Sequence, residues 1–302
     1  MKKVSVILTT YNGEKSIAQV ITSIIQQEGV NEKFELELII VDDCSTDNTV
    51  NIAKTFDVIL ETTPQNSGGP NRGRNIGLKR ATGDFLCIAD QDDVWIKHKI
   101  ITLLPYLEEV PIVTSGYTVI DSNKNKEIVR INKSENGSLY FKENETFISK
   151  LEKSLKGQNT YLGAIIYGKE LQHILFEETF GVVDFDWVLR LFKGNPSIEV
   201  SDSLYKRFVD EENLSLNEAY RKKDFYYSLM FIEEYMAEYP SQVKKSNLKI
   251  HGSRARYYYF IGEMRNARMY FRRSELSWKN VLYYLTTFVG SSFVKKHFNI
   301  FG

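Results

Sequence analysis

Near its start the chain reads Val4-Ser5-Val6-Ile7-Leu8-Thr9-Thr10-Tyr11-Asn12-Gly13, an apolar run that gives way to polar residues. Apolar residues at consecutive positions are typical of a strand buried on both faces of a sheet. The next apolar residues recur every three or four positions within Ile17–Ile25, which predicts a helix with one buried face. A buried strand followed by such a helix is the first half of a parallel βαβ unit.

The same alternation continues along the first 90 residues. It predicts strands at Leu36–Val41, Val58–Leu60 and Phe85–Ala89, and helices at Asn48–Phe56 and Arg74–Ala81. Repeated units of this kind predict an α/β fold with a parallel sheet, helices on its faces and right-handed crossovers. Ligands of such sheets bind beyond the carboxyl ends of the strands.

The rest of the chain changes in texture. We predict a strand at Ile112–Ile120, a polar loop at Asn123–Ser138, and helices at Phe147–Leu155 and Asp186–Phe192. Helical patterns then dominate, at Leu216–Tyr239, Arg254–Gly262, Asn266–Arg273 and Trp278–Val294. The sequence therefore predicts an α/β domain over residues 1–215 and a helical region over residues 216–302.

Composition limits the class of protein. The 302 residues are 42% hydrophobic and 26% charged, as in an ordinary globular protein. Lys and Arg number 39, equal to Asp and Glu, and this balance argues against a nucleic-acid partner. Two cysteines exclude a disulfide framework and a zinc cluster. The run Val4–Leu8 is too short for the core of a signal peptide, so we expect a cytoplasmic protein.

Two acidic clusters directly follow predicted strands. Asp42-Asp43-Cys44-Ser45-Thr46-Asp47 contains carboxylates that can accept hydrogen bonds from a nucleobase or a ribose, or can cap the following helix. Asp90-Gln91-Asp92-Asp93 crowds three carboxylates that repel one another unless a cation lies between them. Oxygen ligands of this kind suit Mg²⁺ or Mn²⁺, and the alternative is an acidic surface turn.

Two further clusters complete the pattern. Asn66–Asn75 combines glycines with Arg72 and Arg74, which can approach phosphate or sugar oxygens, and it matches neither the dinucleotide-binding fingerprint nor the P-loop. Asp184-Phe185-Asp186-Trp187 begins a predicted helix. An acid at that position is either a helix cap or a general base that deprotonates a hydroxyl.

In this order and spacing, the four clusters resemble those of family 2 glycosyltransferases, which have the GT-A fold. The string Asp90-Gln91-Asp92-Asp93-Val94-Trp95 is especially similar to the bacterial branch with rhamnosyltransferases and other polysaccharide-building enzymes. The resemblance covers about residues 1–210. It implies a Rossmann-like, mixed and mostly parallel sheet flanked by helices, with a helical C-terminal extension.

The resemblance also implies roles for individual residues. Asp186 would be the catalytic base, and Asp92 would hold Mn²⁺ or Mg²⁺. The nucleotide would be bound by Thr9, Tyr11, Asp42, Asp43, Arg74 and Asp90, and the sugar or diphosphate would be contacted by Asp93, Asn75, Lys206 and Arg207. Relatives often carry a histidine after a Tyr-Arg pair past the base, whereas Tyr205 is followed here by Lys206 and Arg207.

The activity implied is inverting, metal-dependent transfer of one sugar from a UDP- or dTDP-sugar to a glycan or lipid-linked saccharide, in cell-surface polysaccharide synthesis. The signature of processive relatives, Q/R-x-x-R-W, is absent from the sequence. Two alternatives stay open, a sugar-nucleotidyltransferase and a catalytically silent protein that binds sugar nucleotides within an assembly complex. The former usually carries a glycine-rich basic loop after the first strand, unlike Thr9–Glu14.

The C-terminal tail differs in charge from the rest of the chain. Residues 244–302 contain twelve Lys or Arg against two acidic residues, together with many aromatic residues. Such a tail either packs on the catalytic domain or in a homodimer interface, or attaches peripherally to the anionic inner face of the plasma membrane.

Overall fold

Strand β1 (Lys2–Thr10) lies near the centre of a ten-stranded mixed sheet in the computed structural model, which describes residues 1–121, 126–154, 156–179, 184–209 and 218–288. The other strands are β2 (Phe34–Asp42), β3 (Ile59–Thr62), β4 (Phe85–Asp90), β5 (Asp93–Trp95), β6 (Ile112–Asp121), β7 (Lys126–Arg130), β8 (Ser138–Phe141), β9 (Ile166–Gly168) and β10 (Ser197–Val209). The helices are α1 (Ile17–Ile25), α2 (Thr49–Ala53), α3 (Asn71–Arg80), α4 (Lys99–Leu103), α5 (Glu145–Leu151), α6 (Phe185–Phe192), α7 (Glu218–Glu233), α8 (Pro240–Phe260), α9 (Met264–Phe271) and α10 (Trp278–Thr286).

The strand order is β3-β2-β1-β4-β9-β6-β10-β5, with β7 paired to β6 and β8 paired to β10. The first four of these strands run parallel, and β9 is antiparallel to both of its neighbours. Thr10 pairs with Asp42 on β2, and Thr9 pairs with Asp90 on β4. The carboxyl ends of three adjacent strands therefore lie side by side, as the sequence predicts.

The core lies between the sheet and its helices. Val4, Val6 and Leu8 of β1 are fully buried, and so are the four aliphatic residues on the inner face of α1. Each such side chain contributes roughly 1.5–3 kcal/mol relative to leaving it exposed. The consecutive apolar run thus forms the doubly covered strand that its pattern predicts.

A buried carboxylate ties β1, β2 and the end of α3 together. Glu37 on β2 accepts hydrogen bonds from Ser5 Oγ at 2.5 Å and from Thr82 N and Oγ1 at 2.9 and 2.7 Å, and pairs with Lys3 Nζ at 2.9 Å. Burial alone would raise the pKa of Glu37, but these hydrogen bonds outweigh it and lower the pKa to about 2. Glu37 is therefore a charged structural residue, remote from the polar strand ends.

Three local predictions are wrong. The predicted polar loop Asn123–Ser138 contains β7, which pairs with β6, and its last residue begins β8. The sequence analysis predicts no strand at β10, which is the longest strand among the described residues. The first part of α8 was also missed, because it begins at Pro240 and not near Arg254.

The chain divides into two compact units. One comprises residues 1–147 and 156–220, and the other comprises residues 148–155 and 221–302. The predicted boundary between residues 215 and 216, and the end of the predicted helix Trp278–Val294, lie outside the described residues. In the helical unit, α8, α9 and α10 pack around a core of Ala255, Tyr259, Ala267, Phe271 and Tyr283. Among the described residues, no helix combines the length and the hydropathy that a bilayer crossing requires.

Candidate functional site

Two loops are cross-linked where β1 and β2 end. The amide of Asn12 donates to Ser45 Oγ at 2.9 Å, and Asn12 Oδ1 accepts from the amide of Thr46 at 2.8 Å. The amide of Gly13 donates to Thr49 Oγ1 at 2.8 Å. Asn12 adopts a positive φ of 48°, which Asn tolerates better than most residues. These reciprocal bonds fix the loop after β1 against the loop after β2.

The two aspartates after β2 each organise one loop. Asp42 accepts hydrogen bonds from Ser45 N at 2.9 Å and from Ser45 Oγ at 2.5 Å, so it shapes its own turn. Asp43 accepts from Thr63 Oγ1 at 2.7 Å and from Ser67 N and Oγ, and thereby anchors the glycine-rich segment that precedes α3. Both carboxylates are buried. Their predicted contacts with a nucleotide remain predictions.

Gln91, to which the sequence assigns no role, clamps the end of β1. Its Oε1 accepts from Thr10 Oγ1 and from the amide of Tyr11, both at 2.8 Å, and its Nε2 donates to Tyr11 O at 3.2 Å. The Tyr11 side chain is 45% exposed beside this clamp. An exposed aromatic ring at a strand end is available to stack on a flat ligand.

Arg74 links the end of β4 to the segment that precedes α6. Its Nη2 pairs with Asp90 Oδ1 at 2.7 Å, its Nη1 donates to Asn71 Oδ1 at 3.1 Å, and its guanidinium lies 5.1 Å from the centre of the Phe176 ring. Phe176 in turn stacks on Trp187 of α6 at 4.5 Å. Arg74 is buried, and its ion pair positions Asp90. The contact with a nucleotide that the sequence predicts for Arg74 remains a prediction.

Asn75 serves the same segment. Its Nδ2 donates to Phe176 O at 2.8 Å and to Glu178 Oε1 at 2.7 Å, and its Oδ1 accepts from the amide of Phe176 at 2.7 Å. Its side-chain amide is thus engaged on both sides in holding residues 176–178. A contact between Asn75 and the sugar or diphosphate remains a prediction.

Asp93 lies behind the acidic turn with Lys99. Burial raises the pKa of Asp93 well above its ordinary value, and the charges of Asp90 and Asp92 raise it further, whereas Arg207 and Lys99 lower it. Lys99 is fully buried, donates to Gly163 O, and its Nζ lies 3.9 Å from the centre of the Trp95 ring. Burial lowers the pKa of Lys99 to about 8. A cationic support therefore underlies the carboxylates.

Lys206 and Arg207 are neighbours on β10, so their side chains leave opposite faces of the sheet. Arg207 pairs in register with Asp93 on β5, and its guanidinium lies 5.0 Å from the centre of the Tyr161 ring. Residues paired across antiparallel strands share a face. Arg207 therefore lies on the side of Asp93, and contacts of Lys206 and Arg207 with a sugar or diphosphate remain predictions.

The acidic turn fits a cation that completes its shell from the substrate. Within the described parts of the chain, no three His, Cys, Asp or Glu side chains converge so as to hold a metal ion by themselves. Mg²⁺ is commonly bound through one or two carboxylates, water and substrate phosphates. Asp92 and Asp90, both partly exposed, supply that donor chemistry, which suits Mg²⁺ or Mn²⁺.

Asp186 lies in the first turn of α6 and is 5% exposed. Arg190 lies one turn later and donates two hydrogen bonds to Asp186 Oδ2, from Nε at 2.9 Å and from Nη2 at 2.5 Å. Arg190 Nη2 also donates to Leu175 O at 2.8 Å, which fixes the guanidinium. An acid and an arginine four residues apart on a helix lie on the same face, so the sequence contains a signal for this pair that the sequence analysis did not use.

Several curated proteins are similar to part of the chain. Poly(ribitol-phosphate) β-N-acetylglucosaminyltransferase TarS of Staphylococcus aureus is 37% identical over 113 residues, which are 36% of this chain and 19% of that protein. The dTDP-rhamnosyl transferase RfbG of Shigella flexneri is 35% identical over 31% of this chain and 34% of its own. The UDP-Glc:α-D-GlcNAc-diphosphoundecaprenol β-1,3-glucosyltransferase WfgD of Escherichia coli is 31% identical over 40% and 47%. The chain thus spans less than half of each of these relatives.

Solved structures share the fold. The structure of S. aureus TarS 1–349 with UDP superposes with a TM-score of 0.63 at 23% identity, over 90% of this chain and 78% of that one. The complex with UDP-GlcNAc gives a TM-score of 0.59 at 19% identity, over 95% and 90%. The predicted GT-A fold with its helical C-terminal region is confirmed. A family profile described as glycosyl transferase family 2 matches residues 5–190, well over half of the sequence, and the chain therefore belongs to glycosyl transferase family 2.

Proposed function

We propose that this chain transfers a single sugar from a UDP- or dTDP-sugar to a hydroxyl of a glycan or lipid-linked saccharide during synthesis of a bacterial cell-surface polysaccharide. One observation carries the proposal: the acidic carboxyl ends of β2 and β4 flank β1 at the same edge of the sheet. The names of the relatives support the nucleotide, since RfbG is a dTDP-rhamnosyl transferase and WfgD uses UDP-Glc.

The donor would lie across the cross-linked loops. Tyr11 stacks on or borders the base, and the turns held by Asp42 and Asp43 present polar groups to the base and ribose. Asp90, oriented by Arg74 at 2.7 Å, accepts a hydrogen bond from a ribose hydroxyl. Thr9 lies at the floor of this edge, where it pairs in register with Asp90.

Asp92, with Asp90 beside it, would hold Mg²⁺ or Mn²⁺. When bound, such an ion neutralises negative charge on a diphosphate leaving group. The buried Lys99 and the half-buried Arg207 partly offset the repulsion that Asp90 and Asp92 exert on Asp93. These residues let the acidic turn persist before any cation arrives.

The chemical step is a single in-line displacement. The acceptor oxygen attacks the anomeric carbon as the bond from that carbon to the diphosphate oxygen breaks, and the electron pair of that bond leaves on the nucleoside diphosphate. Asp186 accepts the proton of the acceptor hydroxyl. Arg190 holds Asp186 Oδ2, so Oδ1 is the oxygen that we assign to the proton. One displacement inverts the anomeric configuration.

A panel of nucleotide sugars tests the proposal. We expect calorimetric binding of a UDP- or dTDP-sugar that requires Mn²⁺ or Mg²⁺ and disappears with a chelator. Asp92→Ala should lose the metal-dependent part of that binding, because the carboxylate supplies a ligand. Asp57→Ala is the matched control, since it removes the same charge from an exposed position before the amino end of β3.

Two outcomes would count against the proposal. Productive binding restricted to a GDP- or CDP-sugar would contradict the donor class. Full turnover in excess chelator would remove the metal from the mechanism and leave charge neutralisation to Arg207 or Lys206. Measurable donor hydrolysis or transfer, conversely, excludes a catalytically silent binding protein.

A further inference from the structure

Helix α9 and the turn that follows it present a basic surface. Four arginines line an open depression of about 370 Å³ together with Met269, namely Arg265, Arg268, Arg272 and Arg273. Residues 264–288 contain five Lys or Arg and one acidic residue. Among the described residues, none of the four arginines forms an ion pair with a carboxylate. Within the part of the chain that the structure describes, the depression therefore concentrates positive charge that no carboxylate pairs.

Helix α10 presents an apolar face to water. Trp278, Val281, Leu285 and Phe288 follow one another at intervals of three, four and three residues and are 70%, 42%, 59% and 64% exposed. That spacing places the first three on one side of the helix, and Phe288 lies two residues past its end. The opposite side, with Asn280, Tyr283 and Thr287, is buried. Surface helices usually turn polar residues outward, so this face is inverted relative to the norm.

The two faces adjoin. Arg272 Nε donates to Tyr284 Oη at 3.2 Å, and Arg268 Nη1 donates to Thr287 O at 3.0 Å. The Arg268 guanidinium also lies 4.8 Å from the centre of the Phe288 ring. Basic and apolar residues therefore form one continuous α9–α10 surface, defined by the four arginines and the four exposed apolar residues.

We propose that the α9–α10 surface docks on an anionic phospholipid bilayer. A bilayer offers phosphate groups to arginines and, a few ångströms deeper, an apolar phase to tryptophan, leucine and phenylalanine. Arginine stems adapt to this depth by extending their charged ends toward the headgroups. A nucleic acid or a soluble polyanion would pair with the arginines but would leave Val281 and Leu285 in water. This inference does not depend on the identity of the donor.

Vesicle sedimentation of the full chain tests the inference. We expect binding to phosphatidylcholine vesicles that contain phosphatidylglycerol, weak binding to pure phosphatidylcholine, and a loss of binding as salt rises. The double variant Arg272→Glu/Arg273→Glu should partition at least roughly tenfold less at low salt. Lys222→Glu/Lys223→Glu is the matched control, because it makes the same charge change at an exposed pair on α7 of the same unit. Trp278→Ser/Leu285→Ser should weaken binding at every salt concentration.

Four results would overturn the inference. The first is that anionic vesicles do not retain the wild-type chain at low salt, and the second is that the lysine control loses binding as strongly as the arginine variant. The third is full displacement of the chain by soluble glycerophosphate, which would identify a site for free phosphate groups. The fourth is a dimer, seen by size-exclusion chromatography with light scattering, that Trp278→Ser/Leu285→Ser dissociates, which would identify an interface between copies.

Discussion

Arg190 limits how Asp186 can act. Both hydrogen bonds from the Arg190 guanidinium end on Asp186 Oδ2. The carboxylate is therefore held in one orientation, with one of its two oxygens bonded to the guanidinium. A general base needs one oxygen directed at the proton that it accepts. The charge pair thus serves orientation, and the second oxygen serves the chemistry that we propose.

Loss of the base should affect turnover alone. We expect Asp186→Asn to lower kcat on the order of 10²–10⁴-fold, because an amide cannot accept the acceptor proton. Donor affinity measured by calorimetry should stay near the wild-type value, since Asp186 lies on α6 and not among the strand ends. Asp184→Asn is the control two residues earlier and should retain turnover. If Asp186→Asn kept its rate and Asp184→Asn lost it, the base would be Asp184.

At the scale of elements, Glu37 connects β1, β2 and the turn after α3 through one carboxylate. Its pKa is lowered to about 2, so the folded state favours the ionised form more strongly than the unfolded chain does. The stabilisation is therefore complete above the ordinary pKa of 4.5 and is lost as the pH falls from there toward about 2.

Glu37→Gln should destabilise the protein by on the order of 3 kcal/mol at neutral pH, because the pKa falls from 4.5 to about 2 and a pKa unit corresponds to about 1.4 kcal/mol. Urea unfolding measured between pH 7 and pH 3 should show this difference from wild type narrowing below about pH 4.5. Glu35→Gln, on the same strand but exposed, should change stability little. A Glu37→Gln penalty that does not vary with pH would mean that packing, and not ionisation, carries the effect.

The elements also show where the sequence was informative. The first strand has an apolar run and α1 has apolar residues at a regular helical spacing, and the predicted bounds of α1 are the observed ones, Ile17–Ile25. Strand β10 has no clean alternation, because its register shifts twice between Val200 and Lys206 and because it buries Glu199. Glu199 is satisfied by Asn132 and Asn159, which are distant in sequence. Such compensation cannot be predicted from local periodicity.

For the candidate site, the sequence predicts the acidic clusters but not their partners. That Asp42 and Asp90 lie at neighbouring strand ends follows from the βα pattern. That Gln91 clamps Tyr11, and that Asn75 holds residues 176–178, depends on pairs separated by 80 residues or more. Contacts of that range arise from the folded chain and have no local signature.

At the scale of the whole molecule, the two proposed binding surfaces belong to different compact units. The strand-end site lies within residues 1–147 and 156–220, and the α9–α10 surface lies within residues 221–302. The charges divide in the same way, since the basic excess is concentrated from residue 244 onward. Positive charge clustered in one part of a chain attracts that part to anionic surfaces.

Hydrogen exchange should give two separate footprints. A donor with Mn²⁺ should protect amides near residues 9–13, 42–49 and 90–95, and leave residues 264–288 unchanged. Anionic vesicles should protect residues 264–288 and leave the strand ends unchanged. New protection by the donor confined to residues 221–288 would contradict the assignment of the nucleotide to the strand ends.

The cross-linked loops after β1 and β2 also bear on the thermodynamics of binding. Ordering a flexible loop costs conformational entropy of roughly 1–2 kcal/mol per residue, and a ligand that imposes the order loses that much affinity. Here Asn12, Gly13, Ser45 and Thr49 are already bonded to one another. That entropy is lost during folding of the chain. A nucleotide that contacts these loops therefore loses little binding free energy to ordering them.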